Sequence, residues 1–209
     1  MKSTLLHAFL LAAVALTVQG QQVATFKSAC DFQPGPPKKP YRWAAKVDPA
    51  KFRGGTVAYR LTPSQLYQWE GGRGKITSTT PRQGREKKWV EITGKVALIK
   101  IEEDGDIHVK ITDADNPSSP RAVLEVPYGA AWCKFRETVL AWTKISFPSG
   151  AKTLTLKDKP VIRAVGKAFW DGKHAASAQS GGVRANKRDY DPNSSVWEVH
   201  PVMALTKIT

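Results

Sequence analysis

The sequence is poor in histidine, cysteine and acidic residues, and this scarcity limits its chemistry. Four histidines and two cysteines occur in 209 residues. They include neither a cysteine-nucleophile signature nor the compact ligand spacing of a zinc motif. After residue 20 the sequence also lacks an apolar run long enough to span a membrane, and no internal repeat is visible. Thiol catalysis and a repeat architecture are therefore not predicted.

The N-terminus predicts export. Lys2 is followed by an apolar run over residues 5–18 and by Val18-Gln19-Gly20 at the usual cleavage positions. The run is short for a bilayer and leads into polar sequence, so residues 1–20 are predicted to be a secretory signal peptide. A retained membrane anchor is the alternative. We expect the mature protein to be secreted or periplasmic.

Basic residues outnumber acidic ones. The chain has 32 lysines and arginines against 18 acidic residues, for a formal net charge of +14. A surface this basic favours anionic polymers, because binding releases their counterions. Nucleic acid, acidic polysaccharide, anionic lipid and lipopolysaccharide all fit, and charge does not choose among them. The alternative is an exported protein whose basicity serves no ligand.

The two cysteines, Cys30 and Cys133, form an even set in a chain predicted to be exported. We therefore predict one disulfide between them. It would close a loop of about a hundred residues and stabilise the fold by up to about 4–5 kcal/mol through chain entropy.

Residues 88–209 show the pattern of a small β-barrel. Val90, Ile92, Val96 and Leu98 alternate with polar or small neighbours, which is the period of a half-buried strand. Asp104-Gly105 then predicts a tight hairpin into a second strand. The remaining predicted elements are a strand over 122–126, a helix over 130–142 and strands over 160–170 and 196–205.

Five strands with one helix between the third and fourth predict an all-β fold, the five-stranded Greek-key barrel of the oligonucleotide/oligosaccharide-binding (OB) fold. Two four-stranded α+β layers are the alternative, which the single helix disfavours. Residues 21–87 are predicted to be an irregular N-terminal extension. It contains one short helix, capped by Thr62 and started by Pro63. The predicted domains are thus a signal peptide (1–20), this extension (21–87) and the OB-fold domain (88–209).

Several short motifs in the barrel region carry a resemblance. They are Asp104-Gly105-Asp106, Glu125-Val-Pro127, Gly166-Lys-Ala-Phe-Trp-Asp171 with His174, and Trp197-Glu-Val-His-Pro-Val202. Over residues 88–206 the sequence resembles a group of exported bacterial OB-fold proteins without assigned activity, most distinctively in its last motif. The resemblance implies the fold and an exported compartment.

The Asp104-Gly105-Asp106 hairpin also resembles that of thermonucleases, which share this barrel and hydrolyse nucleic acid with a carboxylate-bound calcium. That resemblance implies a general-base glutamate and two arginines that stabilise the transition state. Glu125, Arg121 and Arg136 are present, but they stand outside the motifs of that family. A thermonuclease-like, metal-dependent phosphodiesterase is therefore the enzymatic alternative.

His108, Glu198 and His200 are candidate ligands of a divalent metal ion. Strand alternation puts Glu198 and His200 on one face, and imidazole with carboxylate suits zinc or a similar ion. The alternative is that each histidine hydrogen-bonds a neighbour. Apart from this metal, no cofactor is predicted.

OB barrels bind along the face of their second and third strands, where aromatic side chains stack and basic groups line a groove. The alternative to a binding role is that the loop charges are only solvated and that the tryptophans fill the barrel interior. The predicted ligand-binding residues are His108, Lys110, Arg121, Lys167, Trp170, Lys173, Arg184, Lys187 and Arg188. We predict non-catalytic binding of an anionic polymer, nucleic acid first and polysaccharide second. A structural protein that binds another exported protein or a polysaccharide is the third alternative.

Overall fold

A computed structural model describes residues 29–30, 41–48, 52–53, 57–72, 76–144, 152–175 and 185–209. Within these ranges the strands are β1 Val57–Leu61, β2 Trp89–Ile101, β3 Ile107–Thr112, β4 Arg121–Val126, β5 Lys152–Thr153, β6 Val161–Trp170 and β7 Ser194–Lys207. The helices are α1 Trp43–Lys46, α2 Pro63–Tyr67 and α3 Cys133–Leu140, with 3₁₀ turns at Gly84–Lys87 and Ala130–Trp132. None of the described helices is long and apolar enough to cross a membrane. The predicted signal peptide lies outside the described residues.

Five of the strands close into a barrel. β2 pairs antiparallel with β3, and β3 pairs antiparallel with β4. β4 runs parallel to β7, β7 runs antiparallel to β6, and β6 returns antiparallel to β2. The connection from β4 to β6 carries α3. This order confirms the predicted all-β OB-fold Greek-key barrel, with its helix between the third and fourth barrel strands.

β2 curves around the barrel near Gly94. Its first half pairs with β6 and its second half pairs with β3, so the strand has to bend between them. A Cβ at Gly94 would collide with the carbonyl oxygen of Thr112, and glycine is the residue that allows this close approach. The register shift lies further along, between Val96 and Leu98.

Alternating apolar side chains of the strands fill the barrel. Ile92, Ile99, Ile107 and Ile111 are almost inaccessible to solvent, and α2 adds the fully buried Leu66. Each such side chain contributes roughly 1.5–3 kcal/mol when it is removed from water. α3 contributes Val139 and Leu140 to the same core.

The N-terminal extension is more regular than the sequence predicts. β1 pairs in parallel with the start of β2, and its five residues are too few to show a clear alternation. The predicted short helix is present as α2, with Thr62 as N-cap and Pro63 as first residue. The Thr62 hydroxyl accepts a hydrogen bond from Gln65 N at 3.3 Å, and Gln65 Oε1 accepts one from Thr62 N at 2.8 Å. These two bonds complete a capping box.

Two buried arginines fasten the extension to the barrel. Arg42 is 1% exposed and donates to the two carboxylate oxygens of Glu86 at 2.7 and 2.8 Å. It also donates to Trp170 O at 3.1 Å, while Glu86 accepts from Trp170 N at 2.9 Å. Arg82 donates to His200 O at 2.5 Å. Because a buried charge is tolerated only when it is paired and hydrogen-bonded, these bonds attach the extension firmly to β6 and β7.

Cys30 and Cys133 lie at disulfide-bonding distance, with their Cα atoms 5.0 Å apart, and this confirms the predicted pair. One turn along α3, the fully buried Arg136 donates to Ala29 O at 3.0 Å and to Gly105 O at 2.8 Å. The disulfide and this arginine together join the beginning of the extension to α3 and to the hairpin between β2 and β3.

Candidate functional site around Tyr190

The candidate site lies on the outer face of β3, β4 and β7, which includes the strands that OB barrels use for binding. Alternation along β3 turns its isoleucines and valine inward and leaves His108 and Lys110 outward, as the sequence predicts. These outward side chains are nevertheless buried as well. Arg188 and Asp191, from the segment before β7, bring charged partners onto this face.

Arg188 is the centre of a buried ion network on this face. Its guanidinium bonds to Glu198 of β7, to Asp171 Oδ2 at 3.1 Å and to Ser195 O at 3.0 Å. Asp171 also bonds to His174 at 2.5 Å. Although burial opposes ionisation of Asp171, its bonds with His174 and Arg188 hold its pKa below the usual range. The same bond to Asp171 raises the pKa of His174.

His200 and His108 extend this network beneath the surface. His200 lies 3.3 Å from Glu198 and 3.4 Å from Asp106, and both carboxylates raise its pKa against the effect of burial. His108 bonds to Glu125 at 2.6 Å. Burial lowers the pKa of His108 to about 4 and raises the pKa of Glu125 well above its usual value. His108 is therefore uncharged at neutral pH.

Tyr190 places an exposed aromatic ring beside this network. The residue is 57% exposed, and its hydroxyl accepts a hydrogen bond from Arg188 Nη1 at 2.9 Å. Lys110 Nζ lies 5.7 Å from the centroid of the ring, and the centroid of the His174 ring lies 5.4 Å from it. Burial raises the pKa of Tyr190 to about 12, so the hydroxyl stays neutral. The solvent-exposed ring of Tyr190 is thus surrounded by the basic side chains of Lys110, His174 and Arg188.

Asp191 positions the two cations that the barrel strands add to this surface. Lys110 of β3 donates to Asp191 Oδ2 at 2.7 Å, and Arg121 of β4 lies 3.4 Å from the same oxygen. Although partial burial opposes ionisation, the bonds from Lys110 and Ser194 lower the pKa of Asp191 to about 2. The carboxylate therefore remains charged and holds both cations near Tyr190.

Three of the nine predicted ligand residues, Lys110, Arg121 and Arg188, meet here around Asp191 and Tyr190. Lys173 and Lys187 are exposed and stand next to His174 and Arg188 in the sequence. We call this surface the Tyr190 site, and its members are Lys110, Arg121, Lys173, His174, Lys187, Arg188 and Tyr190.

Three predicted ligand residues that the structure describes are not part of the Tyr190 site. His108 is buried against Glu125. Lys167 bonds to Asp48 at 2.5 Å beside Trp89. Trp170 points into the core, where its ring centroid lies 5.3 Å from that of Trp197, so it offers a ligand no surface. Arg184 lies outside the described residues.

The three predicted metal ligands do not form one ligand set. His108 is bonded to Glu125, whereas His200 and Glu198 are paired with each other. In the part of the chain that the structure describes, the metal-ligating side chains close enough to share an ion are Cys30, Cys133 and Glu137. Those cysteines are joined to each other. The arrangement of the histidines matches the alternative, in which each one bonds a neighbour.

Three residues of the thermonuclease alternative, Asp106, Glu125 and Arg136, are buried and bonded inside the protein. Asp106 is 1% exposed and lies against His200. Glu125 is buried against His108, and Arg136 donates to backbone carbonyl oxygens. Arg121 lies at the surface with Asp191.

Two members of the Tyr190 site, Tyr190 and His174, are not among the predicted ligand residues. Tyr190 follows Lys187-Arg188 in the long basic segment, and an aromatic residue close to such a pair is a signal for a stacking surface. Asp171, which pairs with both His174 and Arg188, stands in the sequence only as the last residue of a motif. Its role depends on Arg188 and His174, which approach it through the fold.

Comparison with protein-family models, with curated proteins and with solved structures gives no match. The resemblance to exported bacterial OB-fold proteins therefore stays a prediction.

Proposed function

We propose that this chain is an exported, non-catalytic OB-fold protein that binds an anionic polymer, in the first place nucleic acid, at the Tyr190 site. The observation that carries the proposal is the exposed ring of Tyr190 among Lys110, His174 and Arg188. Stacking of a base on such a ring contributes about 1–3 kcal/mol and tolerates any sequence. The surrounding cations supply attraction to phosphates.

The distribution of charge supports the same function. Exposed basic residues outnumber exposed carboxylates within the described ranges, because the buried arginines are largely matched by buried acids. The exposed cations are Arg53, Arg60, Arg85, Lys87, Lys88, Lys95, Lys134, Lys144, Lys157, Lys159, Arg163, Lys173, Lys187 and Lys207. The exposed carboxylates are Glu70, Glu103, Asp115, Glu137 and Asp189. Within the described ranges the exposed residues therefore carry more positive than negative charge, and this excess attracts polyanions.

Lys173 and Lys187 are the cations of the site that are most open to a ligand. Both are exposed, and neither forms a salt bridge within the described residues. Lys110 and Arg188, by contrast, are held by Asp191 and Glu198. We expect the two exposed lysines to contact phosphates and the held pair to position Tyr190.

The test is a mobility shift of labelled single- and double-stranded DNA by the mature protein across a salt series, with calcium and with EDTA. We expect a shift that weakens steeply with salt and DNA that stays intact in every lane. Replacing Lys173 and Lys187 by glutamine should reduce the slope of log affinity against log salt by about 1.4 for single strands. The matched variant, Lys134→Gln with Lys144→Gln, should keep the slope.

Three results would contradict the proposal. Shortened products in calcium that disappear in EDTA would indicate a phosphodiesterase. An equal loss of slope in both double variants would mean that general charge, and not this site, binds the polymer. Absence of any shift at low salt would direct attention to a protein or polysaccharide partner.

A further inference from the structure

A second basic surface lies on the outer side of β1, β2 and β6. In the strand pairing, Arg60 lies opposite Glu91, and Arg163 lies opposite Thr93. Lys95 lies two residues beyond Thr93 on the same face of β2. Because side chains alternate along a strand, these three cations project from one face of the sheet. We call Arg60, Lys95 and Arg163, with Trp89, the basic face.

The cations of the basic face are available to a ligand. Lys95 and Arg163 are exposed, and neither has an ion-pair partner within the described ranges. The Arg60 side chain is 77% exposed and lies 3.4 Å from Glu91, an interaction that solvent weakens. Lys95 and Arg163 are diagonal neighbours on β2 and β6, and such neighbours across an antiparallel pair are about 7–8 Å apart. Each can therefore contact a different charged group of a polymer.

Trp89 adds an aromatic ring at one end of this row. It is partly exposed, and its ring centroid lies 5.3 Å from that of Phe52. Lys167 Nζ lies 5.5 Å from the centre of the Trp89 ring and bonds to Asp48 at 2.5 Å. The basic face therefore combines an aromatic ring with cations, as the Tyr190 site does, and here all of them stand on strands.

The two surfaces share no strand. The Tyr190 site is built on β3, β4 and the segments after β6 and before β7, whereas the basic face is built on β1, β2 and β6. In the closed strand order, β3 and β4 are joined to β6 through β7 on one side and through β2 on the other. The two surfaces therefore offer separate sets of cations to a ligand.

We propose that the basic face is a second site for the same class of polymer, so that one molecule holds two segments of nucleic acid at once. The inference rests on the proposed function of the Tyr190 site and adds bivalence to it. A protein with two such sites bridges separate strands or compacts one long strand.

The test uses single-stranded DNA of about ten nucleotides, which fits within the roughly 4–16 nucleotides covered by one OB barrel. Titration calorimetry at low salt should give two oligonucleotides per protein. Mixed donor- and acceptor-labelled oligonucleotides should show energy transfer only when the protein is present. Replacing Arg60, Lys95 and Arg163 by glutamine should reduce the stoichiometry to one and abolish the transfer, while Tyr190-site binding persists.

The matched control replaces Lys134, Lys144 and Lys157, three exposed lysines outside both surfaces, by glutamine. It removes the same charge and should keep two oligonucleotides bound and the energy transfer. A stoichiometry of one in the unaltered protein would overturn the inference and leave the proposed function standing. Loss of transfer in the control to the same extent would also overturn it. Absence of all binding would overturn both proposals.

Discussion

Removing the charge of Glu86 is expected to destabilise the whole protein, although this residue lies outside the barrel strands. Glu86→Gln keeps the shape of the side chain and leaves the guanidinium of Arg42 buried without a counter-charge. Glu86 is 2% exposed and accepts hydrogen bonds from Arg42 and from Trp170 N. Breaking a buried pair by removing one partner costs about 3–5 kcal/mol.

This cost is a large part of the stability of an ordinary domain, which is about 5–15 kcal/mol. For a domain of this size the Tm should fall by roughly 6–20 °C. Urea unfolding followed by tryptophan fluorescence measures the change, because Trp170 and Trp197 are buried in the core of the folded protein. The apolar double variant Arg42→Met with Glu86→Leu should lose less stability than Glu86→Gln, because it leaves no buried charge without a partner.

The control is Glu91→Gln, which breaks the exposed pair with Arg60 and should change the free energy of unfolding by less than about 1 kcal/mol. If Glu86→Gln costs no more than Glu91→Gln, the ion pair does not fasten the extension to the barrel.

Two further predictions concern the core and the buried network. Leu66→Ala should cost about 2–5 kcal/mol in urea unfolding, because the fully buried side chain of α2 fills the barrel core; an effect below about 1 kcal/mol would mean that α2 is not part of that core. The second concerns pH. The pKa of His108 is about 4 when folded and about 6.5 when unfolded, so the unfolded state takes up its proton first as the pH falls. Relative to His108→Gln, the unaltered protein should therefore lose up to about 3 kcal/mol of stability between pH 6.5 and pH 4. A stability difference that does not vary with pH would contradict the buried, neutral state of His108.

The barrel was predictable because its signals are local. Alternation in β2 and β3, the turn at Asp104-Gly105 and the helix after the third barrel strand are properties of short stretches, and the OB-fold order connects them. The attachment of the extension was not predictable. Arg42 and Glu86 look like ordinary loop charges in the sequence, and they are buried only because the extension folds back onto β6.

The sequence predicts which residue types belong to the site, but it does not predict their partners or their burial. Alternation places Lys110 on the outer face, but it does not show that Asp191 will pair with it or that Arg188 will be buried. It also does not separate Trp170, which points inward, from an aromatic residue that a ligand can reach. Tyr190 follows a basic pair in a long irregular segment, where no periodicity indicates its position.

The affinity of the mature protein for a single-stranded oligonucleotide, compared with that of Tyr190→Ala and Tyr190→Phe, tests the central claim most directly. Loss of stacking predicts that Tyr190→Ala binds about 5- to 150-fold more weakly, whereas Tyr190→Phe keeps the ring and most of the affinity. A sulfated polysaccharide has no bases, so the unaltered protein and both variants should bind it with the same affinity. Equal affinity of Tyr190→Ala and the unaltered protein for the oligonucleotide would contradict a nucleic-acid site at Tyr190.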